Sequence, residues 1–287
     1  MKYFFSAVIL LLFVGWAQGQ SFYAVRKERS LIAVGGIGTS TYFGELANPG
    51  DYFDARPSLS AGLQYYFTNR ISARAELNWF QLKGDDAKAD DNSRRKRNLS
   101  FLSNNFELSV IGQFNLFAMG HRFYQRPKLN FYGFAGISAL YFNPTTEYQG
   151  KRYALQPLRT EGVKYSRVQP VIPYGGGVRY MVDPFLNISL EIGYRKVFTD
   201  YLDDVSTVHL GPGAFSDPIA QALSDRRPEL GLSPVAAGTQ RGNPNAKDSY
   251  YHLMIKAEYY LPYNFILGSG QRKLYNRKRK YYYKRRR

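Results

Sequence analysis

The sequence predicts an all-β fold, an antiparallel outer-membrane β-barrel of about eight strands with long extracellular loops, short periplasmic turns and a basic C-terminal tail. Three observations predict it. Apolar and polar residues alternate over several stretches, each long enough to cross a bilayer as a tilted strand of about 9 to 11 residues. Beyond the first twenty positions no apolar run approaches the roughly 18 residues of a helical span. The links between the alternating stretches are short and long in turn, as barrel topology requires.

The chain opens with "MKYFFSAVILLLFVGWAQGQ". Lys2 gives a basic start, Tyr3 to Trp16 an apolar stretch, and Ala17-Gln18-Gly19 a small-residue cleavage signal, so residues 1–19 read as a secretory signal peptide. Cysteine is absent, which excludes a disulfide framework and a lipid-bearing cysteine. Residues 20–263 then read as the transmembrane barrel. The 25 Tyr and 20 Phe suit the aromatic girdles of such a barrel.

The alternation is cleanest in "LNISLEIGYR", where Leu186, Ile188, Leu190, Ile192 and Tyr194 oppose Asn187, Ser189, Glu191, Gly193 and Arg195. The stretches from Ser58, Ile71, Phe106 and Tyr251 repeat it, with Ile111 and Gly112 as exceptions to the pattern. Three further strands, from Leu31, Leu129 and Gln169, are rich in glycine. Pro170 and Pro173 are an objection to the last of them, because proline removes a ladder donor; a position above the membrane would accommodate them. The links at 68–70 and 182–184 are very short, 118–128 is moderate, and 83–98, 143–166 and 200–248 are long. A soluble sandwich would also alternate, but such long strands and a single parity of loop length are less expected there.

Alternation turns Arg74, Glu76, Glu107, Arg179, Glu191, Arg195, Lys256 and Glu258 inward, four acids against four bases. Eight strands leave a lumen that side chains fill, so a charge network plugging the barrel is expected rather than a pore. Nothing predicts an enzyme or a cofactor. His121, His209 and His252 have no nucleophile beside them in a recognisable motif. Asp200, Asp203 and Asp204 lack a regular calcium-loop pattern and read as a solvated, turn-forming patch. Gly175-Gly176-Gly177 has no phosphate-loop spacing and reads as close packing within a strand.

Residues 264–287 carry ten cations and no acid: Arg272, Lys273, Arg277, Lys278, Arg279, Lys280, Lys284, Arg285, Arg286 and Arg287. They account for ten of the net +17. Nucleic acid would neutralise such a tail, but a signal peptide and a barrel put it in the wrong compartment. With an even strand count the tail falls in the periplasm, where an acidic protein or phospholipid headgroups are the partners in reach; a merely solubilising tail is the bland alternative.

Three segments, "FNPTTEYQGKRYALQPLRTEG" from Phe142, "EIGYRKVFTDYLDDVSTV" from Glu191 and "RGNPNAKDSYYHLMIKAEYYL" from Arg241, together resemble the PorG-like outer-membrane barrels of the type IX secretion system of Bacteroidetes. The resemblance implies a non-enzymatic component of a protein-export machine, scaffolding or anchoring a periplasmic ring formed by a lipoprotein and its partner protein. It marks Leu155, Gln156, Pro157 and Tyr201 to Asp204 as signature positions without an assigned role. The alternative is a small barrel in outer-membrane lipid that binds envelope or extracellular ligands through its long loops.

Overall fold

The computed structural model describes residues 31–48, 50, 54–119 and 126–261. The expected signal peptide and basic tail, and with them all ten cations from Arg272 to Arg287, lie outside the described residues.

Eight long strands form the barrel: β1 (Leu31–Phe43), β2 (Arg56–Tyr66), β3 (Ile71–Asp85), β4 (Ser100–Asn115), β5 (Leu129–Tyr141), β8 (Val168–Met181), β9 (Leu186–Val197) and β10 (Ser249–Tyr260). The short strands β6 (Pro144–Tyr148) and β7 (Lys151–Ala154) make a hairpin in the link between β5 and β8. Every barrel strand is antiparallel to both neighbours, β1 pairs with β10, and the pairing of β3 with β4 completes the ring. A closed ladder leaves no open edge in the hydrocarbon.

The links at 67–70 and 182–185, with the described residues 116–119 and 126–128, lie at one end, which we call the turn end, with Leu31 and Tyr260. Those at 86–99, 142–167 and 198–248, with the described residues between β1 and β2, lie at the other, the loop end. Outward residues of the middle section are apolar and exposed, among them Leu77, Leu108, Ile137, Leu190 and Ile255. Aromatic residues flank this belt. Trp79 pairs with Phe106 and Phe106 with Tyr141 toward the loop end, while Tyr65, Phe131, Tyr180 and Tyr259 stand toward the turn end.

Two strands run further than alternation suggests. β3 continues six residues past Trp79 to Asp85, and β4 begins six residues before Phe106. Across Trp79 the alternation persists with its sign reversed. Below it Ser72, Arg74, Glu76 and Asn78 point inward; above it Phe80 and Leu82 do, and Gln81, Lys83 and Asp85 point out. The strand leaves lipid for water there, so its apolar side must change faces.

The inward apolar residues above the belt pack with those of the long links. Tyr42, Phe80, Phe101, Leu140, Phe142, Leu155, Leu202 and Leu223 belong to one core that roofs the barrel mouth. The long loops are therefore a folded cap.

The prolines of β8 fall near its loop end. Pairing with β5 lapses at Ile172 and Pro173 and resumes in the same register, Val171 facing Ser138 and Tyr174 facing Ala135. The ladder thus skips the missing donor without a bulge. Glycines serve the rings beside them: a Cβ at Gly177 would come within 2.6 Å of Tyr132, and one at Gly193 within 2.7 Å of Phe134. Those rings form a small cluster with Ile111, which explains why Ile111 points inward against the polar trend of β4.

Candidate functional site

Alternation puts every second residue of each strand into the lumen, and the stagger of the ring stacks those residues in layers. At the middle, Lys256 Nζ lies 2.9 Å from Glu76 and 2.7 Å from Glu191. Arg74 spans the same two acids at 2.8 and 2.9 Å, so two cations and two carboxylates close a ring of charge. Tyr132 Oη donates to Glu191 at 3.0 Å. Toward the turn end Arg179 pairs with Glu258 and donates to Tyr66 Oη and Asn115 Oδ1. Toward the loop end Arg195 stands 3.7 Å from Glu107, which also accepts from Tyr250 Oη at 2.6 Å. Arg74, Glu76, Glu107, Arg179, Glu191, Arg195, Lys256 and Glu258 are all buried, none more than 3% exposed. The structure joins these eight through charge in three layers, and their formal charges cancel.

Such a lumen is not a conduit. Buried charges are tolerated only when paired and hydrogen-bonded, and here each carboxylate has a cation. An ion would have to break those pairs to pass.

His252 also faces this column, where Ser58 Oγ stands 3.0 Å from its Nδ1. The two are 194 positions apart, so no local motif announces them. A serine–histidine pair works as a nucleophile only with an orienting partner and access for substrate. Here Nε2 of His252 has no partner, the ring is packed against Phe80 and Tyr250, and both residues are buried under the cap. The arrangement is a structural hydrogen bond. Of the other histidines, His209 sits in the cap and His121 lies outside the described residues.

The acidic patch expected to be solvated is buried. Asp200, Asp203 and Asp204 are each 2% exposed or less, because the 198–248 link folds back over the mouth. Asp204 accepts from Thr160 Oγ1 and from Tyr165 Oη. Asp203 Oδ2 and Asp248 Oδ1 each lie 2.7 Å from Tyr42 Oη. One phenol has one hydrogen, so it can donate to only one of them. The other contact needs a proton on a carboxyl group. Burial, and the charge of Glu45, push Asp203 well above its ordinary value, and burial with the charge of Asp203 does the same to Asp248. The pair therefore holds a proton in common. Carboxylate oxygens of Glu45, Asp203 and Asp248 lie within 4.8 Å of one another.

The signature positions acquire roles in this cap. Leu155 belongs to its core, Gln156 Nε2 donates to Tyr165 O at 2.9 Å, and Pro157 lies in the short helix Leu155–Leu158. Tyr201 stacks on Tyr165 with centroids 4.8 Å apart. Arg241 pairs with Glu161 at 2.8 Å and donates to Asp204 O at 2.6 Å. Segments around 160, 204 and 241 are thus knotted together by polar contacts that sequence spacing could not show.

A closed eight-stranded barrel with an apolar belt between aromatic girdles, a plugged polar lumen and a folded cap defines an integral outer-membrane β-barrel protein. The chain belongs to the family described as Domain of unknown function (DUF6089), whose profile matches residues 4–209. Among solved structures it is similar to Neisserial surface protein A (NspA), with a TM-score of 0.41 at 9% identity over 80% of this chain and 97% of that one. It is also similar to Ail, the attachment invasion locus protein of Yersinia pestis (TM-score 0.39, 11% identity, 82% and 99% covered). A third is OprG of Pseudomonas aeruginosa (TM-score 0.38, 9% identity, 82% and 98% covered). No curated protein matches the chain in sequence.

Proposed function

We propose that this protein is a non-enzymatic component of the type IX secretion machinery, a PorG-like barrel of the Bacteroidetes outer membrane that scaffolds or anchors the periplasmic ring complex. The observation that carries the reading is the convergence of the three resembling segments, from Phe142, Glu191 and Arg241, on one cap, where they contact each other through Glu161, Asp204 and Arg241. Segments that resemble one family and also build one unit are more telling than separate stretches. The plugged lumen supports the same reading, since it directs function to the two ends.

In this reading the turn end faces the periplasm, and the tail from Asn264 is the electrostatic handle for the ring lipoprotein and its partner. Truncation after Gly268 is expected to leave insertion intact, because β10 ends at Tyr260. It is expected to reduce both co-purification of the ring proteins and secretion of cargo. Normal secretion with ring partners retained would remove the tail from the mechanism. An unchanged secretome on gene deletion would end the export role itself.

A second reading, a small barrel binding ligands through its loops, is favoured by one observation: the cap contains a cavity lined by arginines.

A further inference from the structure

We propose that the cap holds a binding site for an oxyanion, a phosphate, sulfate or carboxylate group, seated between Arg94, Arg227, Arg241 and His209. The inference stands apart from the export role. These four side chains line one cavity of about 430 Å³, which Arg97 and Glu45 also border. They come from distant parts of the chain: the helix Asn92–Arg97, the turn Arg227–Leu230, and the segments joined by the Val208–Gln240 bridge. Backbone hydrogen bonds fix the last two, His209 N–H donating to Thr239 O and Arg241 N–H to Thr207 O, both at 2.8 Å.

Each of the four offers the cavity a buried nitrogen with no hydrogen-bond partner: Arg94 Nη2, Arg227 Nε, Arg241 Nε and His209 Nδ1. Arg241 and His209 are 3% and 4% exposed, so they are wall and not surface. The three arginine nitrogens are donors, and His209 Nδ1 is one in the Nδ1–H tautomer; a buried donor left unsatisfied is costly.

The guanidinium groups are also held in position. Arg94 donates to Asp86 and to Ala47 O, Arg241 to Glu161 and Asp204 O, and Arg97 spends its donors on Asp86, Glu45 O and Arg241 O. What these contacts leave over is a set of fixed N–H groups on Arg94 and Arg241 with nothing to bind. Convergent, preorganised donors with a guanidinium among them are the usual means of holding an oxyanion.

The electrostatics agree with the geometry. Burial and then the charge of Arg241 hold His209 down to about 4, so its ring is neutral at pH 7. The part of this shift that follows burial, the charges of Arg241 and Arg97, is the part that would also attract an anion. Two acids also line the cavity: Asp91, whose Oδ1 accepts from Ser93 N–H, and Glu45, which burial raises from its ordinary value and whose Oε2 lacks a partner. A volume near the lower end of ligand pockets suits a small solute.

The test is calorimetric titration of the full-length protein in detergent micelles with inorganic phosphate, sulfate and glucuronate, in chloride as background salt. At least one of the three is expected to bind saturably at one site. Arg227→Gln should weaken that binding roughly tenfold, since a charged donor is lost. Arg152→Gln, on the exposed strand β7, should leave it unchanged. Heat-dependent electrophoretic mobility checks that each variant is folded. Should the Gln variant fail that check, Arg227→Lys keeps the charge, loses Nε, and is expected to weaken binding by less. Preference among the three probes, with mutual competition, tells a free inorganic anion from an acidic sugar. The site is overturned by absence of saturable binding with all three probes. It is equally overturned if a folded Arg227 variant binds as the unsubstituted protein does, or if Arg152→Gln is as damaging.

Discussion

The molecule has two buried polar regions, and they differ in how their acids are partnered. In the lumen every acid has a cation: Glu76 and Glu191 share Arg74 and Lys256, Glu258 has Arg179, and Glu107 has Arg195. In the cap, Asp203 and Asp248 crowd one phenol and both oxygens of Asp200 lack a hydrogen-bond partner, whereas arginine nitrogens without one occur in both regions, on Arg74 and Arg195 in the lumen and on Arg94 and Arg241 in the cap. Local satisfaction marks a region selected for holding together. Local conflict that persists in a folded structure marks a region that does something else. The difference sets charge pairing in the barrel against crowded acids in the cap.

The strongest way to break this contrast is to remove one cation from the middle layer. Lys256→Met leaves Glu76 and Glu191 with Arg74 alone, and an uncompensated buried charge costs about 3 to 5 kcal/mol. Unfolding by urea in lipid vesicles measures it, and a loss comparable to that of an exposed charge would show that the lumen is not an interlocked network. Next comes the outer surface. Leu190→Arg, in the apolar belt, is expected to cost about 2 to 4 kcal/mol if it sits at mid-bilayer, whereas Val163→Arg, exposed in a cap loop, should stay within about 0.5 kcal/mol. Equal costs would place the belt wrongly.

The smallest effect sharpens the contrast through pH. Burial, then the charge of Glu45, raises Asp200 to about 7, and Glu161 and Lys247 also face it. Burial raises Asp204 to about 6 against the pull of Arg241. Unfolded, both would titrate near 3.8. Folded pKa values above the unfolded ones mean stability that is complete below pH 3.8 and is lost as pH rises through about 6 to 7. Cap stability, followed by protease cleavage of the 198–248 link, should therefore fall from pH 5 to pH 8. Asp248→Asn removes one acid of the pair that shares a proton, and should make the cap more resistant at pH 8. Unchanged cleavage in that variant would mean the pair is not the proton holder.

How far the sequence was readable follows the same division. Five strands, from Ser58, Ile71, Phe106, Leu186 and Tyr251, showed their inward side by alternation, because lipid outside and a polar lumen inside impose a period of two, whereas the glycine-rich strands from Leu31, Leu129 and Gln169 were read as strands without a clean face. The reading stopped short at Trp79 and at Phe106 for a physical reason. The solvent changes there, so a pattern that is continuous in structure reverses sign and looks like an end. The cap was least legible. Asp203 and Asp204 look like solvated turn residues until the 198–248 link is folded over them, and Ser58 meets His252 only in the closed ring. The arginine cavity joins Arg94 to Arg241 across 147 positions, which no spacing rule covers. Strand alternation is a local property, whereas a cap built from four links is not.

The filled lumen has a consequence for the cell that carries this protein. Each copy replaces a patch of lipid with a wall whose bore side chains fill, since Arg74, Glu76, Glu191 and Lys256 pair within it and the cap core lies above them. An open porin ties abundance to permeability: more copies admit more nutrient and more antibiotic. A bore filled with side chains uncouples the two, so that added copies need carry no penalty in leakage.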